Sequence, residues 1–267
     1  MNFLEESRSL ESVNLGIDFV EDSLRSWQRR TTLGNEFRSL SIQYTDAMDA
    51  RALISSIALP KGAHLELVCH NVYVGLNDVL SGISTAHLSN LPSPTSLDYD
   101  SPTRRIRLLG PNGSASFTTA PDLVVPFAEL PLLPLANVRE LNLVHQILQD
   151  TTTLSVFPPS FFPALEKVVV RRNPDISHLF SRLFSNPSSC PSLKTLIFVD
   201  CDIDEESVEG LTRFASGRKR IPSVPLHRVV ILHSDGSFPS AKLIRGLEKH
   251  VPVVDVRVGR ELPTDLA

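Results

Sequence analysis

The chain has 267 residues, 42% hydrophobic and 21% charged, which is enough apolar material to bury a full core. Its 26 Lys and Arg and 30 Asp and Glu give a formal net charge of −4, which does not favour nucleic acid as a partner. The sequence has no apolar run of about 18 residues and no N-terminal signal pattern, so we expect no membrane contact. Three cysteines are too few for a disulfide framework, and we expect an intracellular protein, cytoplasmic or nuclear.

The first third of the chain alternates short apolar strands with amphipathic helical segments. The pattern predicts strands at 10–15, 37–43 and 64–69, and helices at 19–30, 46–57 and 76–88. Met1 lies only a few residues before the first strand, with no room for a capping element. We therefore expect an array that is truncated at its N-terminus.

Residues 92–131 interrupt this alternation. Two strand-like runs, 105–109 and 115–119, flank a Gly-Pro-Asn-Gly-Ser segment, and Asn112-Gly113 is a hairpin signal. We predict an irregular insertion that contains a β-hairpin near 105–119, followed by a proline-rich connection.

From residue 138 the alternation becomes regular. Helices are predicted at 175–184, 204–216 and 240–250, with Gly217 as the C-cap of the second. A last strand is predicted at 251–258. The basic run 218–220 is expected in a solvated loop, with a nuclear-import signal or a phosphate contact as the alternative.

One motif recurs along the chain. In LKTLIFVDCDI, residues 193–203, Leu193, Leu196, Phe198 and Cys201 follow the L-x-x-L-x-L-x-x-N/C pattern of a leucine-rich repeat, and equivalents recur at intervals of about 25–33 residues. Leu196 and Phe198 lie two apart on a strand and point into the core, while the small Cys201 can hydrogen-bond the turn backbone. These spacings predict an α/β solenoid over 1–267, a single domain with a curved parallel sheet inside and helices outside.

The residues between the core positions of each strand would face the concave surface of such a solenoid. They are polar in the first half of the chain, but in the second half they form what we call the apolar patch: Val144, Val169, Ile197, Val199, Val230 and Leu232. The basic residues at its edge are Lys167, Arg171, Arg228 and Arg257. An exposed patch of this kind indicates a protein-binding surface, so we predict an unidentified protein partner there. Ile197→Asp with Val230→Asp should then leave the fold intact. The alternative is that a loop, or a further part of the protein, covers the patch.

Signals for chemistry are missing from the sequence. It contains no G-x-S-x-G, P-loop, G-x-G-x-x-G, H-E-x-x-H or paired C-x-x-C motif, so we predict no catalytic residue, cofactor or metal. Of the histidines, His64 and His145 are the strongest candidates for a function, because they lie near strand edges. We expect them to be ordinary polar surface residues. A hydrolase using Ser234 with His233 or His227 lacks an evident acid partner, and neighbouring strand residues point apart. We therefore expect a protein that is not an enzyme.

Several segments of the sequence resemble the fungal F-box-like proteins with leucine-rich repeats. The segments are FVDCDIDEESVEGLTRFASGRKR, HRVVILHS, FPSAKLIRGLEKHVPVVDVRVGRELPTDL, SIALPKGAHLEL, LNDVLSGISTAHL, RRIRLLGPNGSASF and PLLPLANVREL. The resemblance implies repeats that select a substrate for a ubiquitin ligase, and an F-box that docks on a Skp1-like adaptor.

The F-box itself is not found in this sequence. An F-box opens with a Leu-Pro pair that leads into an apolar helix, whereas the Leu-Pro pairs here lie in predicted loops or at the tail. Adaptor binding is therefore expected only if an F-box lies upstream. The sequence predicts a protein-binding module, with an inert structural fragment of a larger repeat protein as the alternative.

Overall fold

The computed structural model describes residues 10–17, 31–71, 73–80, 93–100, 102–120, 133–144, 162–173, 176, 190–220, 225–235 and 239–259. The chain divides into two compact units, Met1–Asn137 (unit 1) and Val138–Ala267 (unit 2). Both are α/β and contain a mostly parallel sheet, as the α/β prediction requires. That the whole chain acts as a single domain stays a prediction.

The described part of unit 1 contains one larger sheet and a separate two-stranded pair. Its strands are β1 (Ser12–Ile17), β2 (Thr31–Thr32), β3 (Ser39–Tyr44), β4 (Ile57–Ala58), β5 (His64–Cys69), β6 (Ser96–Asp100), β7 (Arg105–Gly110) and β8 (Gly113–Thr118). Its helices are α1 (Ala47–Ser56), α2 (Leu76–Leu80) and a 3-10 turn (Leu135–Asn137). The larger sheet has the order β1-β3-β5-β8-β7-β6, parallel from β1 to β8 and antiparallel from β8 to β6, while β2 pairs with β4.

Helix α1 begins where the sequence predicts it. Asp46 is the N-cap, and its Oδ1 accepts a hydrogen bond from the backbone N–H of Met48 at 2.6 Å, which satisfies one free donor of the first turn. Leu53 and Ile54 are buried, and the helix ends at Ser56, with Ile57 as its C-cap in an extended backbone conformation. The predicted helix at 19–30 and the second half of that at 76–88 lie outside the described residues.

The predicted β-hairpin is present as β7 and β8. Gly110 pairs with Gly113, so Pro111 and Asn112 form the loop, one residue earlier than the Asn-Gly signal suggests. Proline suits the first loop position because its φ is already fixed near the required value. The hairpin also changes the sheet order: β8, and not β6, lies next to β5, so Glu66 is the register partner of Ser116.

The described part of unit 2 contains five parallel strands and two helices. The strands are β9 (Glu140–Val144), β10 (Lys167–Arg171), β11 (Thr195–Val199), β12 (Arg228–His233) and β13 (Val253–Val258); the helices are α3 (Glu205–Lys219) and α4 (Ala241–Glu248). The strands follow one another in chain order, and the recurrence that the sequence predicts is confirmed, because Leu196 of the motif and its equivalents are register partners in a row: Leu141, Val168, Leu196, Val229 and Val254. The predicted helix at 175–184 lies outside the described residues except for Ile176, which is buried.

The turns after β10 and β11 repeat the same backbone conformation. Arg172 and Asp200 have φ values of 51°, in the left-handed region, and each donates its N–H to a carbonyl of the next strand. Cys201 then donates its thiol to the carbonyl oxygen of Val170 at 3.4 Å, the turn contact that the sequence predicts for this position. Burial raises the pKa of Cys201 to about 11, so the thiol keeps the proton it donates.

The end of helix α3 differs from the prediction. The helix continues past Gly217 to Lys219, with Arg220 as its C-cap, so the prediction of Gly217 as the C-cap is wrong. The cause is Arg218, whose side chain is 1% exposed and donates to the backbone carbonyls of the segment 190–193. Burial lowers the pKa of Arg218 below its usual value. The expectation that the whole basic run is a solvated loop is therefore also wrong.

Candidate functional site

The larger sheet of unit 1 has one buried face and one accessible face. Strands β3, β5 and β6 alternate strictly between buried and half-buried residues, as expected of strands with a single covered face. We call the accessible side the polar face, and its members are Ser41, His64, Glu66, Asp98, Asp100, Arg105, Arg107, Ser114 and Ser116. This face carries a hydrogen-bonded set of chemically active side chains that extends over strands β3, β5, β8 and β7.

Glu66 and Arg105 are the central pair of the polar face. Glu66 accepts a hydrogen bond from Ser41 Oγ at 3.0 Å and from Arg105 Nη2 at 3.2 Å. Arg105 Nη2 also lies 3.2 Å from Ser116 Oγ, to which it donates. The side chain of Arg105 is 41% exposed and that of Glu66 is 30% exposed. Solvent therefore screens the ion pair, and its contribution to stability is modest. They remain available to exchange partners with a bound ligand.

His64 extends this network to β8. Its Nδ1 lies 2.7 Å from Ser114 Oγ and its Nε2 lies 3.4 Å from Ser116 Oγ. Hydroxyl groups both donate and accept, so a neutral imidazole is satisfied in either tautomer. The pKa of His64 is lowered mainly by burial; the charge of Glu66 raises it, while the nearby arginines lower it.

The stability of unit 1 should depend on the protonation of His64. Because its folded pKa is below the unfolded value of 6.5, the folded state resists protonation, and stability is full above pH 6.5. Stability should fall as the pH drops below that value and level off once the folded His64 is protonated. In His64→Gln this part of the pH dependence should disappear in urea denaturation between about pH 4 and 8. An unchanged pH profile in the variant would contradict the assignment.

The polar face does not form a Ser-His-acid relay. Glu66 is bound to Arg105 and Ser41, whereas His64 contacts two serine hydroxyls. Ser116 is 0% exposed, out of reach of a substrate. In unit 2, the two ring nitrogens of His233 lie 2.8 Å from Asp235 Oδ1 and 2.7 Å from the carbonyl oxygen of Cys201. The hydrolase hypothesis stays an untested alternative.

The predicted exposure of the apolar patch is wrong. Val169, Ile197 and Val230 are 0% exposed, Val199 and Leu232 are 4% and 2% exposed, and the five form one buried cluster; Val144 is half-buried. Strands β10 to β12 carry apolar residues at consecutive positions, and both of their faces are covered, as in parallel sheets with two packed sides. The patch belongs to the core, which favours the alternative that it is covered.

The predicted basic edge of the patch is largely neutralised. Lys167 Nζ lies 2.9 Å from Glu140 on the preceding strand, and Arg228 Nη2 lies 3.4 Å from Asp255 on the following one. Arg257 also contacts Asp255, at 2.6 Å, and Arg171 is half-buried. These charges hold neighbouring strands together, and whether they also contact a partner stays untested.

Two large apolar side chains that the sequence did not single out are exposed at the carboxyl ends of β3 and β5. Met48 is 70% exposed and Tyr73 is 89% exposed. The loop that carries Tyr73 is restrained, because Asn71 Oδ1 accepts from the Tyr73 N–H and Asn71 Nδ2 donates to Thr45 O, both at 3.0 Å. Tyrosine is enriched among the residues that contribute most to protein–protein binding. Its signal in the sequence is Asn two residues before Tyr, an Asx turn.

No group of three or more His, Cys, Asp or Glu side chains in the described ranges could hold a metal ion. None of the helices in the described part of the chain is long and apolar enough to cross a membrane. Neither a protein-family model nor a curated protein matches this chain.

Proposed function

We propose that the chain is a non-catalytic protein-binding module and that its partner contacts the polar face of unit 1. The observation that carries this proposal is the network of Ser41, Glu66, Arg105 and His64, half-buried on the accessible side of a sheet whose other side is core; the buried Ser116 links Arg105 to His64. Backbone and neighbouring strands hold these groups in place before a partner arrives. Such preorganisation reduces the entropy lost on binding.

The chemistry of the polar face favours an extended polar segment of the partner. Acidic and basic side chains alternate across the strands, since Asp98 is the register partner of Arg107 and Asp100 that of Arg105. A surface that carries both positive and negative charges favours a partner whose own charges lie in complementary positions. Such complementarity contributes more to specificity than to affinity. Tyr73, on the loop that follows β5, and Met48, in the first turn of α1, would add apolar contact area.

Glu66→Lys tests this proposal. Lysine at this position would repel Arg105 and remove the acceptor of Ser41, so partner capture by the purified chain should fall at least about tenfold. The matched control is Glu166→Lys in unit 2, where the acid is similarly exposed and pairs with Lys194 at 3.6 Å. Capture is measured by quantitative affinity purification with wild-type and variant chains in parallel. Equal capture by Glu66→Lys and the control would contradict the assignment, and no specific capture by the wild type would favour an inert structural fragment.

We propose further that the repeats select a substrate for a ubiquitin ligase, on the resemblance to F-box-like leucine-rich-repeat proteins. If so, deleting the gene should raise the abundance of the captured partner and lower its ubiquitination. Unchanged abundance and ubiquitination would refute this role while leaving the binding proposal intact. Contact with a Skp1-like adaptor belongs to this proposal only if an F-box lies upstream.

A leucine-rich-repeat solenoid is the architecture that we propose for this module. In its support, α3 connects the neighbouring parallel strands β11 and β12, α4 connects β12 and β13, and the two helices pack together. Right-handed crossovers between sequential parallel strands bring such helices to the same side. A crystal structure with the remaining connections on that same side would support the solenoid; connections on alternate sides would contradict it.

A further inference from the structure

Strand β13 is an edge whose core positions are incompletely covered. In the described residues it pairs with β12 alone. Val229 and Ile231 of β12 are 0% exposed, whereas their register partners on β13, Val254 and Val256, are only half-buried. At the ends of the strand, Val253 is 46% and Val258 69% exposed. The edge therefore presents apolar surface that a further strand would cover.

The edge has few of the features that protect open strands from pairing. Natural edge strands carry charged side chains, lysine above all, proline or bulges, and β13 contains no lysine, proline or bulge. Its two charged residues, Asp255 and Arg257, already lie on one face and bind each other, with Nη2 and Oδ2 2.6 Å apart. Gly259, at φ 146°, continues the ladder by donating its N–H to the carbonyl of His233. Strand β13 thus keeps a regular register along its length and can accept a partner strand there.

The sequence of β13 is complementary to itself in the antiparallel direction, and we propose that a second copy of this chain pairs with it there. Centred on Val256, antiparallel pairing places Val256 opposite its own equivalent and Val254 opposite Val258 of the other copy. The same register places Asp255 opposite Arg257 of the other copy, twice by symmetry. Directly opposite side chains share a face, so valines meet valines and acids meet bases.

The apolar and charged contacts have different roles in this dimer. Burying the half-exposed valines of both copies extends the core of unit 2 and supplies affinity. Arg257 already binds the Asp255 of its own strand, so pairing exchanges one partner for another and adds little net energy. The charges instead select the register, because any variant that opposes like charges is penalised. The dimer is independent of the function proposed for the polar face.

Charge exchange tests the register directly. Asp255→Arg alone opposes arginine to arginine, and Arg257→Asp alone opposes aspartate to aspartate, so each should raise the dimer dissociation constant at least about tenfold. An equimolar mixture of the two variants restores both opposite-charge pairs and should form a heterodimer. Sedimentation equilibrium of the full chain from about 1 µM to about 1 mM measures all of these species. Glu166→Lys, far along the sheet from β13, is the matched control and should dimerise like the wild type.

Circular dichroism checks that each variant is folded. This control is needed because Asp255 also binds Arg228 at 3.4 Å, and its replacement removes that contact. If either charge variant fails to fold, Val258→Glu replaces it, because this position is exposed and should weaken the dimer without loss of the fold. A concentration-dependent wild-type dimer, monomeric single variants and a restored heterodimer would establish the proposal. A wild type that stays monomeric, larger open-ended assemblies, or monomeric variants whose mixture fails to associate would overturn it.

Discussion

Replacing Arg218 with alanine should lower the free energy of unfolding by about 3–5 kcal/mol. The guanidinium donates to the backbone carbonyl oxygens of Cys190 at 3.1 Å, Pro191 at 3.3 Å and Leu193 at 2.9 Å, and it lies over the ring of Phe214. Alanine would leave the carbonyl of Leu193 without this buried donor and that of Cys190 with only the N–H of Leu193, and it would open a cavity beneath α3. Urea denaturation followed by circular dichroism measures the loss.

Two further variants separate the hydrogen bonds of Arg218 from a general effect of charge. Arg213→Ala removes an exposed arginine from the same helix and should change stability by no more than about 0.5 kcal/mol. Arg218→Lys keeps the charge, but one ammonium cannot reproduce the planar fork, so its loss should be intermediate. Equal stability of Arg218→Ala and Arg213→Ala would contradict the structural role of Arg218.

Introducing carboxylates into the apolar patch should unfold unit 2. Ile197 and Val230 are both 0% exposed and are register partners on β11 and β12. Each Asp would bury an unpaired charge at a cost of about 4 kcal/mol or more, and the two carboxylates would repel each other. Together these losses approach the total stability of a typical domain. Ile197→Asp with Val230→Asp should therefore lose cooperative unfolding, opposite to the expectation for an exposed patch.

Thr195→Asp is the control for this experiment. Thr195 lies on the same strand and the same face as Ile197, but it is half-buried and its register partners are Lys167 and Arg228. A carboxylate there meets positive charge and should be tolerated. A double variant of Ile197 and Val230 as stable as Thr195→Asp would restore the exposed patch as a candidate binding surface.

The strands and their register follow from the sequence, whereas the accessible surface does not. The same motif position is occupied in successive strands by Leu141, Val168, Leu196 and Val229. This recurrence of apolar residues along the sequence predicts which residues become register partners in the sheet. Burial of the opposite face depends on elements distant in the chain, which the periodicity of one strand does not encode. Consecutive apolar residues such as LIFV at 196–199 were the available signal for a strand covered on both sides.

The contacts of the polar face and of Arg218 also join residues that are distant in the chain, so local sequence patterns do not predict them. Glu66 lies on a strand that the repeat predicts, but its partners Arg105 and Ser116 reach it only because β7 and β8 are inserted into the sheet. Arg218 binds carbonyls 25 to 28 residues earlier in the chain, in a segment where Cys190 has a left-handed φ of 50°. A basic run has the same composition whether it is solvated or buried, so the sequence alone favoured the solvated loop.

The central claim is that the polar face of unit 1 is open to a partner while the apolar patch of unit 2 is core. Maleimide labelling of two variants that each add one cysteine tests it most directly, because the native Cys69, Cys190 and Cys201 are all buried. Arg107→Cys, at an exposed position on β7, should label rapidly under native conditions, and Val230→Cys should label only after unfolding. Rapid native labelling of Val230→Cys together with protection of Arg107→Cys would contradict the account.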